Sequence, residues 1–122
     1  AAAAQCAAAQ PSACRTVVVC SDDLGAAEEF AREMGRAHPE LSVRFRARKS
    51  VPNPLVRGHW QAEFNSLSAE DRRSMTLEFL ADVQVMRAAK ALVCTHSSNV
   101  GRLVALLRDG PTVSLDGEWT NG

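Results

Sequence analysis

The stretch ALVCTHSSNVGRLVALLR, residues 91–108, passes from an apolar run through a polar knot into an apolar-periodic segment. Its first five residues, ALVCT, have no polar alternation, which predicts a strand buried on both faces, as in a parallel sheet. NVGRLVALLRDG then predicts a helix from Asn99, with Leu103, Val104, Leu106 and Leu107 apolar and Gly110-Pro111 ending it. The knot between them is Thr95-His96-Ser97-Ser98-Asn99. It falls past the carboxyl end of a strand and at a helix start, where free N–H groups and short hydroxyls make an anion site. One residue of this kind would suffice as an N-cap; five in a row exceed that need. No Gly-rich phosphate loop accompanies them.

Upstream, the pattern repeats. TVVVC (16–20) is a second β-branched run without alternation, ended by SDDLG. Residues 24–36 predict a helix with Asp22 or Asp23 as its cap and a stripe of Leu24, Ala27, Phe30, Ala31 and Met34. LSVRFRARK (41–49) alternates apolar and basic residues and predicts a half-exposed strand, with Arg44, Arg46, Arg48 and Lys49 on its solvated face. Two prolines and a glycine make 50–60 an irregular crossing. From Ser68, a capping-box-like pair with Asp71 opens a long helix whose stripe is Met75, Phe79, Val83 and Met86. TVSL (112–115) is a last short strand. The order β-α-β-loop-α-β-α-β implies an α/β fold with a mainly parallel sheet. Ligands of such sheets sit beyond the carboxyl ends of the strands.

Bulk properties narrow the function. The 122 residues are one domain's worth, and 46% hydrophobic with 23% charged is the balance of a globular chain. Fourteen basic and fourteen acidic residues are interspersed with zero net charge, so no nucleic-acid surface or membrane-binding stripe is indicated. No apolar run approaches the roughly 20 residues of a transmembrane helix. Residues 1–14 read as an Ala-rich tail or linker, leaving 15–122 as the domain. Cys6, Cys14, Cys20 and Cys94 have neither zinc spacing nor a disulfide framework, and Cys20 and Cys94 read as small buried hydrophobes. No metal site is expected.

Three sets of residues can carry chemistry. Ser97, Ser98 and Asn99 form the candidate anion site, with His96 inside it. Asp82 shares helical spacing with Met75, Phe79 and Met86, so a carboxylate lies on or beside an apolar face. Such a group needs strong hydrogen bonds. A neighbouring Arg or backbone N–H can supply them, and so can guanine, with N1 and the exocyclic N2 side by side. Asp22 and Asp23 form the third set, which can hold a metal, cap a helix or orient a basic loop.

These motifs together resemble a known family. VVVCSDDLGAAEEFARE, LADVQVMRAAKALVCTHSSNVGRLV and SLDGEW, in that order and covering most of 16–119, are similar to the C-terminal donor-binding domain of alpha-1,6-fucosyltransferases and their bacterial nodulation-type relatives. There, a strand ends in a TDD-like pair, a helix carries an Asp, and a strand leads into SSQVCR or SSNVGR. The resemblance implies the C-terminal half of a GT-B glycosyltransferase, a Rossmann-like three-layer α/β/α domain. It implies inverting transfer of fucose from GDP-fucose to a glycan, without metal or other cofactor. Residue by residue, Asp82 would read the guanine. Ser97, Ser98 and Asn99 (where Gln is more usual) would meet the diphosphate, Asp22 and Asp23 would edge the donor site, and Arg102 would stand near it. The family's basic H-R-R-x-D-K-like motif and its N-terminal, acceptor-binding half would precede VVVC, where the Ala-rich stretch stands. The expectation is that this piece alone binds GDP-fucose weakly and transfers nothing detectable. A full-length eukaryotic relative would work in the Golgi lumen.

Two other readings stand beside this one. A non-catalytic regulatory α/β domain of the receiver type would need an Asp ending the middle strand and a Lys after a later one. RFRARKS offers no Asp, and no Lys follows Lys90. A sugar-phosphate-binding domain would use THSSN for a monophosphate.

Overall fold

The computed structural model of the chain describes residues 15–46 and 61–117. They form a mixed α/β structure of four short strands and four helices: β1 (Thr16–Val19), α1 (Leu24–Ala37), β2 (Ser42–Phe45), α2 (Gln61–Ser66), α3 (Ala69–Ala88), β3 (Leu92–Cys94), α4 (Asn99–Leu106) and β4 (Thr112–Ser114). Both strand pairings are parallel, as the alternation of elements requires. Instead of one sheet there are two of two strands each, β1–β2 and β3–β4. The described residues divide into two compact units, one from Arg15 to Asp82 and the other from Val83 onward. The Ala-rich segment, Cys6, Cys14, His59, Arg48, Lys49 and the 50–60 crossing lie outside the described residues.

In the first unit, β1 and β2 pair from Thr16↔Ser42 to Val19↔Phe45, with α1 as the crossover. Asp23 is the N-cap of α1; its carboxylate accepts from the Ala26 N–H at 3.0 Å. Ser21 steadies the cap, its hydroxyl accepting from the Asp23 N–H at 3.1 Å. Arg36 in the last turn suits the negative end of the helix dipole. The expected stripe holds: Ala27 and Met34 are buried, and Leu24, Phe30 and Ala31 are half-buried. Burying one such Met contributes roughly 1.5–3 kcal/mol. Burial of β1 on both faces is not found. Val17 and Val19 are half-buried, whereas Thr16 and Val18 are exposed. Ser42 and Arg44 of β2 are exposed too. A two-stranded pair with one crossover helix has only one face to cover.

The Ser68 cap of α3 differs from a capping box in its second arm. The Asp71 N–H donates to the Ser68 hydroxyl at 3.0 Å, and that hydroxyl donates to the Asp71 carboxylate at 2.8 Å. Asp is too short to reach back to the cap's own N–H, as a Glu would. Along α3, Met75 and Val83 are buried and Met86 half-buried, but Phe79 is 42% exposed. Helix α2 was not foreseen, because QAEFNS has no apolar stripe; the Gln61 amide donates to the Asn65 side chain along it at 2.8 Å.

In the second unit, Val83, Leu92 and Val104 form the core, with Met86, Cys94 and Val100 packed on it. Of the apolar residues expected to pack on α4, only Val104 is buried; Leu103, Leu106 and Leu107 are exposed. Consecutive leucines point in different directions around a helix, so one stripe cannot hold them all. The two helix ends are tied by arginines. The Arg87 Nε donates to the carbonyl of Leu107, which caps α4, at 3.1 Å. Arg108 donates to Ala89 O, just past α3, and to Pro111 O and Thr112 Oγ1.

Candidate functional site

Both polar clusters singled out in the sequence lie past the carboxyl ends of parallel strands. In the first unit, the Val19↔Phe45 register carries Cys20 and Arg46 out together beyond the pair. Ser21, Asp22 and Asp23 follow Cys20 into α1. The Arg46 Nε donates to Asp82 Oδ1 at 3.3 Å. Asp82 therefore has a partner inside the fold, 36 residues away in sequence. The pair is partly solvated, with side-chain exposures of 45% for Arg46 and 25% for Asp82. An ion pair of that exposure is worth about 0–1 kcal/mol. A ligand that competed for this carboxylate would displace little. Asp23 is used as a cap, and Asp22 is exposed in the turn.

Cys20 sits in the same cluster as a free, half-buried thiol. Burial foremost, and then the Asp82 carboxylate, push its pKa up to about 11, while Arg46 pulls the other way. The folded state thus favours the neutral thiol. Its contribution to stability is present below the unfolded value near 9.0 and is lost as pH rises toward about 11. Iodoacetamide at pH 8 should label Cys20 much more slowly in the folded chain than in urea, with the gap closing as pH approaches 11. Equal rates at pH 8, read by mass spectrometry, would show that the thiol is not shielded.

In the second unit, the Cys94↔Ser114 register sets the β3–α4 loop beside the residues after β4. Leu115 extends the pairing, its N–H donating to Cys94 O at 2.9 Å. Cys94 is also a half-buried free thiol, pushed up in pKa mainly by burial. Ser98 is the N-cap of α4, its hydroxyl accepting from the Gly101 N–H at 3.4 Å. The Arg102 N–H makes the first helical bond, to Ser98 O at 3.1 Å. Among the described residues, the N–H groups of Asn99 and Val100 receive no partner. The Arg102 guanidinium donates to the Asn99 amide oxygen, three residues back along the helix.

Asp116 completes this cluster, and sequence reasoning did not single it out. Its Oδ1 accepts from the His96 N–H at 2.7 Å and from the Ser114 hydroxyl at 2.9 Å; its Oδ2 accepts from the Ser97 N–H at 3.1 Å. The Ser97 side chain, with the Ser114 hydroxyl and the two backbone amides, holds the carboxyl far below the usual carboxylate range. The available signal was the SLDG turn itself: a Ser two residues before an Asp, then Gly117 at φ 127°, a conformation that favours glycine. Ser97 and Asn99 are exposed at the loop, and His96 and Ser98 are half-buried.

A shallow depression of about 500 Å³ lies elsewhere in this unit, lined by Gln84, Arg87, Leu107, Arg108 and Gly110 among others. Its two arginines are engaged on helix-end carbonyls, so it offers no ready cationic surface. Among the described residues, no group of three His, Cys, Asp or Glu is placed to hold a metal. None of the described helices is long and apolar enough to cross a membrane. Asp22, Asp23 and Asp82 thus belong to the first unit, and His96, Ser97, Ser98, Asn99 and Arg102 to the second. Comparison with protein-family models, with curated proteins and with solved structures returns no match for this chain.

Proposed function

We propose that the chain is a nucleotide-sugar donor-binding domain of a fucosyltransferase-like glycosyltransferase, with GDP-fucose as its donor and a Rossmann-like, GT-B type of architecture. One observation carries the reading. Among the described residues, the Asn99 and Val100 N–H groups in the first turn of α4 have no partner, and the Arg102 guanidinium donates to the Asn99 side chain in the same turn. A cation at the positive end of a helix is unfavourable alone. A diphosphate supplies the missing negative charge and accepts from both N–H groups. The position past the carboxyl end of β3 supports it further. The resemblance alone adds Asp82 as the group that would accept from the guanine, and the Arg46 pair it would give up is weak.

Calorimetry of the full chain with GDP-fucose, GDP, UDP and ADP tests this. Guanine nucleotides are expected to bind and the other two to bind less well. Asp82→Asn should weaken GDP by about 1–3 kcal/mol, because the amide cannot accept from both guanine donors. Equal or absent binding of all four nucleotides to folded protein rejects the donor reading, and unchanged GDP affinity in Asp82→Asn removes Asp82 from it. Two N–H groups and one guanidinium also suit a monophosphate. Displacement of GDP by simple sugar phosphates at equal concentration would favour a sugar-phosphate-binding domain instead.

A further inference from the structure

We infer that Asp116 is a positioning residue for the phosphate-binding turn, latching the β3–α4 loop through the His96 and Ser97 amides so that only the Asn99 and Val100 amides face an anion. This rests on the donor reading for its ligand, but the latch itself does not depend on it. The loop has five polar residues and more N–H donors than one helix start needs. The carboxylate takes two of them at 2.7 and 3.1 Å, using both oxygens. The Ser114 hydroxyl, on the last residue of β4, fixes one of those oxygens at 2.9 Å. The backbone bond from Leu115 N–H to Cys94 O fixes the residue before it. Asp116 is thus anchored to the strand pair, and the loop is anchored to Asp116.

The consequence is a division of labour within THSSN. His96 and Ser97 spend their amides inside the fold. Ser98 spends its hydroxyl on Gly101. What the described bonds leave over is the Asn99 and Val100 amides and the Arg102 guanidinium, enough for one phosphoryl group of the donor and not a cradle for two. An ionised carboxylate on the two inner amides also repels a second anion from them. Asp116 would therefore set which part of the loop meets ligand without touching the ligand.

Amide proton shifts of the full chain, read by NMR, test the latch with and without GDP. In the wild type, GDP should move the Asn99 and Val100 resonances and leave His96 and Ser97 in place. Asp116→Asn keeps one acceptor oxygen, so one of the two inner amides should lose its carboxylate-bonded downfield shift, and GDP affinity should fall about tenfold. Ser114→Ala leaves the carboxylate but removes its brace, and should move the same inner amides by less. It also serves if Asp116→Asn does not fold. Inner amides unmoved in the folded variants overturn the latch, as does a GDP affinity unchanged or tighter in Asp116→Asn. If the wild type binds no GDP while the inner amides respond to both variants, the donor reading fails and the latch stands.

Discussion

Gly101→Ala is expected to destabilise the chain by about 3 kcal/mol or more, the upper end for overpacking a site that cannot relax. Two effects oppose each other here. Alanine in place of glycine within a helix ordinarily stabilises by about 1 kcal/mol. Against this, a Cβ on Gly101 would sit 2.2 Å from the carbonyl oxygen of Thr95, 3.2 Å from its carbon and 3.5 Å from the Cys94 Cβ. The first two contacts are backbone, at the end of a paired strand, and no side-chain rotation relieves them. The same helix start carries the Ser98 cap and the Asn99 and Val100 amides, which have no partner among the described residues. Pushing α4 off the strand end would therefore lower stability and disturb the proposed phosphate turn together. Gly35 of α1 is the control, because nothing lies within 4 Å of its Cβ position. Gly35→Ala should raise stability by roughly 0.5–1 kcal/mol. Urea denaturation of both variants decides the matter; a midpoint for Gly101→Ala at or above that of the wild type would mean that α4 does not approach the strand so closely.

The features legible in the sequence are those written locally. TVVVC and ALVCT mark β1 and β3 within a residue or two, because unbroken β-branched and apolar runs between polar clusters have few other uses. Asp23 and Ser98 were candidates for caps or ligands, and both cap, each accepting from an N–H three residues on. What the sequence hides is pairing over distance and direction around a helix. Nothing near Asp82 announces Arg46, and nothing near His96 announces Asp116, 20 residues later. Phe79 matched the α3 stripe by spacing yet is exposed, because spacing reports periodicity and not whether a neighbour stands opposite. The same limit applies to the strands. A continuous apolar run suggests two covered faces, but the cover comes from other elements, and Val18 has none that buries it. The candidate anion site was half legible for this reason. Its loop residues are consecutive, whereas the carboxylate that accepts from the His96 and Ser97 amides stands two residues past the end of β4.

Arg108 gives the second large effect. In the sequence it is one more basic residue near a helix end, yet it is only 8% exposed. Its guanidinium donates from Nη2 to Ala89 O and from Nη1 to Pro111 O and, at 3.1 Å, to Thr112 Oγ1. One side chain thus ties the end of α3, the turn after α4 and the first residue of β4. Arg108→Ala removes every one of these donors and leaves a cavity in their place. The expected loss is about 3 kcal/mol, from the Ala89 carbonyl losing its donor, from Pro111 O being left with the Leu92 N–H alone, and from lost packing of the stem. Arg108→Met keeps most of the stem, so the difference between the two variants isolates packing from hydrogen bonding. Methionine should recover only part of the loss, because it donates to neither the Ala89 carbonyl nor the Pro111 carbonyl. The buried Nε has no partner among the described residues, so removing it offsets a little of the cost in both variants. Gly110 supplies the internal check. A Cβ there would lie 2.6 Å from Arg108 Nη2 and 3.0 Å from Lys90 O, so the glycine makes room for the guanidinium. Gly110→Ala should destabilise the wild type, and much less so once Arg108 is alanine. A double-mutant cycle by urea denaturation should therefore show a coupling of about 1 kcal/mol or more. Strict additivity would mean that the guanidinium does not occupy the space the glycine leaves, and that the ends of α3 and α4 are held by something other than this side chain.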